Sequence, residues 1–129
     1  MCHVTEAKKA SIQSEINTLV SEQTSNQAVI DDATRCKNEN TAALEQANCA
    51  ADALGAMDLG GHKILDSTNL CISELNTRIQ LNEDIIAEAT RIQGEIAAAI
   101  SAKQAELAAV PANCGSCWEC NPDKAPGGW

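Results

Sequence analysis

Residues 72–110 read ISELNTRIQLNEDIIAEATRIQGEIAAAISAKQAELAAV, and one set of positions recurs there at alternating intervals of three and four. This spacing continues for about five heptads and is the period of a coiled-coil helix. The positions are Ile72, Leu75, Ile79, Asn82, Ile86, Ala89, Gln93, Ile96, Ile100, Lys103, Leu107 and Val110. We call such a stripe the seam. It predicts a helix that packs along its length against another helix.

The first half of the chain carries the same pattern. Its seam positions are Ile12, Ile16, Leu19, Gln23, Asn26, Ile30, Ala33, Lys37, Asn40, Leu44, Ala47, Ala51 and Leu54. Two stretches of this seam are polar, Gln23 with Asn26 and Lys37 with Asn40. Helix-forming residues dominate both halves, and the first proline is Pro111. The chain therefore predicts two long helices.

The two patterns together predict an all-α fold, a long antiparallel two-helix coiled-coil hairpin with a short Cys-rich tail. Helix 1 is predicted over about residues 5–57 and helix 2 over about 63–110, joined by a Gly-Gly turn at about 58–62. Gly60 and Gly61 accept the positive φ that ends a helix, and Pro111 stops helix 2. The hairpin domain is then residues 1–112, and residues 113–129 form an irregular Cys-rich tail.

The polar seam residues indicate how the helices pair. A short connection makes the helices antiparallel, with facing residues whose numbers add to about 119. Lys37 is then predicted to face Asn82, and Asn26 to face Gln93. Polar seam residues lower stability but fix the register. With a rise of about 1.5 Å per residue, each helix is expected to be about 70 to 80 Å long.

Composition excludes several classes of partner. The 129 residues carry a net charge of -9 with nine Lys and Arg, which leaves no basic surface for nucleic acid. No apolar run approaches the roughly 18 residues of a membrane span, and the N-terminus MCHVTEAKKAS lacks the apolar stretch of a signal peptide. The chain contains no Phe and no Tyr, so Ala, Ile and Leu must form the core.

Further apolar residues lie beside the seam and widen each apolar face to about three positions in seven. They are Val20, Val29 and Ala43 in helix 1, and Ile64, Ile85, Ile92 and Ala99 in helix 2. Either the stems of flanking Lys and Glu cover them, or copies of this chain or related helical proteins pack on them. We favour packing. The candidate assembly interface is Val20, Val29, Ile64, Ile85, Ile92, Trp118 and Trp129.

Three of the seven cysteines, Cys114, Cys117 and Cys120, follow a C-x-x-C-x-x-C spacing in the tail. The predicted register places Cys2 level with Cys117. We therefore expect a disulfide between Cys2 and one of these three, closing the end of the hairpin farthest from the turn. In the alternative, the three tail thiolates bind zinc with Cys2 or His3 as the fourth ligand. Otherwise no cofactor is expected.

Cys49 and Cys71 form a second candidate disulfide, because the register places them level near the turn. Their helical phase disagrees, since Cys49 lies at an outward position whereas Cys71 flanks the seam. Cys36 has no level partner and is predicted to be unpaired or joined to another chain. Since seven is an odd number, at least one cysteine is free, metal-bound or intermolecular.

The sequence contains no enzyme motif, and we expect no catalytic residues. The two histidines, His3 and His62, lie at opposite ends of the predicted hairpin, so they form no nucleophile relay within one chain. In composition the chain resembles secretory-granule matrix, extrusive-organelle and extracellular fibre proteins. That resemblance implies an extracellular or secretory/extrusive compartment. The sequence thus favours a structural protein that self-assembles into a filament, lattice or bundle. The alternative is a small thiol or zinc-binding module.

Overall fold

The computed structural model describes residues 3–57 and 61–110 of the chain. They form two helices, α1 (His3–Gly55) and α2 (Gly61–Ala109), of 53 and 49 residues, and no strand occurs among them. The helices pack against each other, so the predicted all-α hairpin is confirmed. Both helices begin about two residues earlier than predicted, α2 at Gly61 itself. The predicted tail, residues 113–129, lies outside the described residues.

Both helices end in a tighter turn. After α1, the backbone N–H of Met57 donates to the carbonyl of Leu54 at 3.1 Å. At the end of α2, the N–H of Val110 donates to the carbonyl of Leu107 at 3.2 Å. These bonds satisfy carbonyls that the end of an α-helix leaves without an intrahelical partner.

The predicted seam is the buried face of both helices. Every seam position predicted from the sequence is buried or half-buried. The buried apolar side chains are Ile12, Ile16, Ala33, Leu75, Ala89 and Val110. Buried Thr5 and half-buried Lys9 continue the spacing toward the start of α1, and half-buried Leu65 and Thr68 do so in α2. The alternation of three and four therefore predicted the packing face of the hairpin residue by residue.

The chain divides into two compact units. Unit 1 is Met1–Ser25 with Ile92–Trp129, and unit 2 is Asn26–Arg91. The core of unit 1 is a cluster of aliphatic side chains, Ile12, Ile16, Val110 and the partly buried Leu107. The buried apolar residues of unit 2 are Ala33, Leu75 and Ala89.

Two polar contacts join α1 to α2 within unit 1. Lys103 Nζ lies 2.8 Å from Glu15 Oε2, and Gln93 Nε2 donates to the backbone carbonyl of Gln23 at 3.3 Å. In each pair the two residue numbers add to about 119, as the predicted register requires. Lys103 and Gln93 are seam residues, so the polar positions of this seam reach partners on the other helix.

Unit 2 keeps the same register through two other contacts. Asn26 Nδ2 donates to the backbone carbonyl of Ala89 at 2.7 Å, and Lys37 Nζ lies 3.3 Å from Glu83 Oε1. Lys37 was predicted to face Asn82, but its ammonium group pairs with the neighbouring carboxylate because an ion pair is stronger than a bond to an amide. Asn82 Nδ2 is left buried without a hydrogen-bond partner among the described residues.

Candidate assembly surface

Each helix of the hairpin has two sides beside its seam. In heptad lettering the seam positions are a and d; Lys37 and Ile86 are at a, and Asn82 is at d. Positions g and c follow one side of a helix, and e and b follow the other. Because the helices are antiparallel, the g positions of both helices lie on the same side of the hairpin. The Lys37–Glu83 ion pair joins position a to position e and so marks the opposite side in unit 2.

We call positions g and c of unit 2 the g flank. Its g residues are Val29, Cys36, Ala43 and Ala50 in α1, and Ile64, Cys71, Arg78 and Ile85 in α2. Val29 is 47% exposed, Ile64 is 54% exposed and Ile85 is 38% exposed. Leu81, at position c beside Ile85, is 57% exposed. The g flank is therefore an apolar surface that both helices build and that the hairpin leaves partly open.

The opposite side of unit 2 has the reverse character. Its e positions are Gln27, Thr34, Thr41, Asn48, Asn69, Asn76, Glu83 and Thr90, together with Gly55 at the end of α1. None of these residues has a large apolar side chain. The two sides of unit 2 therefore differ in apolar character, and the g flank is the more apolar of the two.

The size of the exposed apolar side chains sets the strength of any association. Full burial of a large aliphatic side chain stabilises by about 1.5 to 3 kcal/mol. Because Val29, Ile64, Leu81 and Ile85 are roughly half exposed, covering all four would contribute about 4 kcal/mol per chain. Two such flanks give about 8 kcal/mol, the same order as the 4 to 15 kcal/mol that association costs. A single contact through this flank is thus weak.

Several c positions of the g flank carry acidic residues. Asp32 and Glu39 both contact Arg35, at 3.8 and 3.2 Å, and the Glu39 carboxylate raises the pKa of the Arg35 guanidinium. Glu88 pairs with Arg91, whose hydrogen bond and charge lower the pKa of that carboxyl group. Each of these acids therefore lies beside a cation that is outside the flank.

Arg78 differs from these cations because it lies on the g flank itself. It is the only Lys or Arg at a g or c position of unit 2. It forms no ion pair or hydrogen bond with any residue in the described ranges, and neither does Glu74 one turn before it. The flank thus carries one positive charge that the described part of the chain does not neutralise.

The same side of unit 1 is charged rather than apolar along α1. Its g positions there are Lys8, Glu15 and Glu22. Glu15, and then Glu106 at 3.3 Å, hydrogen-bond to Lys103 and raise the pKa of its ammonium group. Unit 1 therefore uses this side for ion pairs within the chain.

The predicted interface residues fall in different places. Val29, Ile64 and Ile85 lie together on the g flank of unit 2. Exposed Val20 occupies position e of unit 1, and Ile92 occupies position g of unit 1 and is half-buried. Trp118 and Trp129 lie outside the described residues. Leu81 and Arg78 were not among the predicted interface residues. Heptad positions assigned to both helices together would have shown that they lie on the same side as Ile64 and Ile85.

The cysteines of the described ranges are all free thiols. Cys49 and Cys71, the second candidate disulfide, are not joined and are both exposed. Cys49 lies at position f on the outer face of α1 and Cys71 at position g of α2, so their helical phases keep the thiols apart. Cys36 is free and half-buried. The other candidates, Cys2, Cys114, Cys117 and Cys120, and the alternative zinc ligand His3 have side chains outside the described part.

The described residues, 3–57 and 61–110, show few features of other kinds of site. These residues contain no group of three His, Cys, Asp or Glu side chains placed to hold a metal ion. Neither helix, over the same ranges, has a segment apolar enough to cross a membrane. A surface depression of about 670 Å³ between Asn69 and Asp84 is lined by α2 alone. Its lining includes Ser73, Thr77 and Asp84 but no His or Lys.

Comparisons with known protein families, with curated proteins and with solved structures gave no match. A function for this protein is therefore inferred from the residues of the chain itself.

Proposed function

We propose that this protein is a structural, non-enzymatic building block, a helical hairpin that packs laterally with copies of itself into a filament, lattice or bundle. The observation that carries the proposal is the g flank of unit 2, where Val29, Ile64, Leu81 and Ile85 remain exposed on one side. Helices with three apolar positions in seven pack against more than one neighbour. A weak contact of this kind becomes effective when further links, here disulfides between chains, hold the same assembly together.

Cysteine cross-links complete the proposal. The tail cysteines and Cys2 staple the hairpin or link it to neighbouring chains, in an extracellular or secretory/extrusive compartment where disulfides persist. Support comes from the cysteine content, seven in 129 residues, and from the compositional resemblance to matrix and fibre proteins. Disulfides would then hold contacts that the g flank alone makes only weakly.

Light scattering on the full chain after size-exclusion chromatography tests the proposal, over a range of concentrations and with and without reductant. We expect the mass to exceed that of one chain and to rise with concentration in both conditions. A mass of one chain throughout would contradict self-assembly.

Intact mass spectrometry of the unreduced, denatured protein tests the cross-links. We expect covalent multimers or a loss of about 2 Da for each disulfide within a chain. Seven free thiols, with zinc bound in the native spectrum, would instead favour the thiol or zinc-binding module.

A further inference from the structure

We propose that the g flank of unit 2 is the interface between two copies of this chain, in which Arg78 of each copy pairs with a carboxylate of the other. This inference rests on the proposed function and names both the surface and the partner.

The position of the apolar residues selects unit 2 as the contacting region. Val29 on α1 and Ile64, Leu81 and Ile85 on α2 are exposed on the same side of one compact unit. An occupant of this side therefore contacts both helices of unit 2. The polar e positions on the other side offer no comparable surface.

The small residues of α1 favour a helix as the occupant. Position g of α1 carries Cys36, Ala43 and Ala50 in succession, each one heptad from the next. Small side chains allow a neighbouring helix to approach closely, while Ile64 and Ile85 on α2 provide large side chains to pack against it. A second hairpin supplies such a helix with the same spacing.

Charge identifies the occupant as a second copy. The flank presents one cation, Arg78 at position g, and four carboxylates at position c, those of Asp32, Glu39, Glu74 and Glu88. Arg78 and Glu74 have no ion-pair partner within the described ranges. When an identical flank faces this one, a carboxylate of each copy lies next to Arg78 of the other copy. The apolar surfaces of the two copies then contact each other. Such self-complementarity is what a two-fold interface between identical chains requires.

Two native cysteines provide the first test. Cys71 lies on the g flank and Cys49 on the outer face of α1, and both are exposed free thiols in unit 2. We would alkylate the reduced full chain at low and high concentration and quantify each cysteine by peptide mass. When about nine-tenths of the chains are paired, alkylation of Cys71 should slow about tenfold because only the unpaired chain reacts. The rate at Cys49 should stay constant and serves as the internal control.

A pair of matched variants provides the second test. Ile64→Glu with Ile85→Glu places two carboxylates on the g flank, and we expect the reduced protein to become a single chain by light scattering. Asn69→Glu with Thr90→Glu adds the same charge at the same spacing on α2, but at position e, and should leave association unchanged. Far-UV circular dichroism of both variants reports whether the helices are retained.

Charge reversal at Arg78 tests the ion pair separately. Arg78→Glu removes both ion pairs of the two-fold interface and should weaken association about two- to thirtyfold, the range expected of two exposed ion pairs. Lys8→Glu changes the net charge equally at an exposed position of unit 1 and should leave the affinity unchanged. Equal weakening in both variants would assign the effect to net charge and overturn the role of Arg78.

The outcomes separate this inference from the proposed function. If the wild type associates while Cys71 stays as reactive as Cys49 and the Ile64/Ile85 variant still associates, self-assembly stands and this interface is wrong. If the wild type is a single chain at every concentration, both are wrong. Should the Ile64/Ile85 variant lose helicity, the alkylation rates of the wild type decide.

Discussion

At the scale of single residues, Asn82 is the least satisfied seam side chain of unit 2. Its Nδ2 is buried without a hydrogen-bond partner in the described ranges, and a buried unpaired donor costs about 1 to 3 kcal/mol. We expect Asn82→Leu to raise the free energy of unfolding by about 1 to 2 kcal/mol, measured by urea denaturation. Asn26→Leu is the matched control, because Asn26 donates to the Ala89 carbonyl and its loss should not stabilise. Equal gains in both variants would show that burying leucine, rather than removing an unpaired amide, causes the effect.

The ion pairs of Lys103 predict how the stability of the hairpin depends on pH. Its hydrogen bonds to Glu15 and Glu106 raise its pKa above the ordinary 10.5. A raised pKa means that the stabilisation is complete below the ordinary pKa and is lost as pH rises through the raised one. Between about pH 9 and pH 12, the melting temperature of Lys103→Met should therefore fall less steeply than that of the wild type. Lys8→Met removes an exposed lysine and should keep the wild-type slope. Parallel slopes for all three proteins would refute the contribution of Lys103.

At the scale of the helix, Gly94 weakens the middle of α2. It lies far from either end of the helix, and a Cβ added there would meet nothing within 4 Å. Gly94→Ala should therefore stabilise by about 0.5 to 1 kcal/mol, because alanine restricts the unfolded chain and favours the helix. Chemical denaturation would measure the change. Gly55→Ala has equal space but lies at the last residue of α1, so its gain should be smaller. A loss of stability at Gly94 would show that the helix needs glycine there.

The helices also show what sequence alone could and could not predict. The seam was predictable because a period of three and four leaves only one face for packing, and the register followed from matching polar positions across it. The partner of Lys37 was not predictable, since a long flexible side chain selects among several neighbours after the backbone is placed. The candidate disulfide between Cys49 and Cys71 shows a related limit. Two residues can lie at the same level along paired helices while their side chains point in different directions, and these two thiols are not joined.

At the scale of the whole molecule, positions a and d form the seam that joins the two helices, whereas the g positions of unit 2 include apolar residues that the hairpin leaves exposed. In our proposal these g positions bind a second copy of the chain. The sequence predicted Val29, Ile64 and Ile85 as interface residues but not that they share one side of the hairpin. That side becomes apparent only when heptad positions are assigned to both antiparallel helices together. The proposed interface therefore follows from the pairing of the two helices rather than from a single sequence motif.

The free end of the hairpin carries the last prediction. In unit 1 the cluster of Ile12, Ile16 and Val110 packs the start of α1 against the end of α2. Cys2 and Cys117 lie outside the described residues, and the register predicted from the sequence puts them at the same level. We expect the unreduced protein to link Cys2 to Cys114, Cys117 or Cys120. Such a bond closes a loop of more than about 100 residues, so reduction should lower the free energy of unfolding by up to about 4 kcal/mol.

Urea denaturation with and without reductant measures this change, and peptide mapping of the unreduced chain identifies the bond. Cys2→Ser is the control, because reductant should then have little further effect on stability. A free Cys2 in the unreduced wild type would rule out the staple. If the three tail cysteines were joined only to other chains, covalent cross-linking would lie between hairpins, and reduction would lower the mass of the assembly rather than the stability of each hairpin.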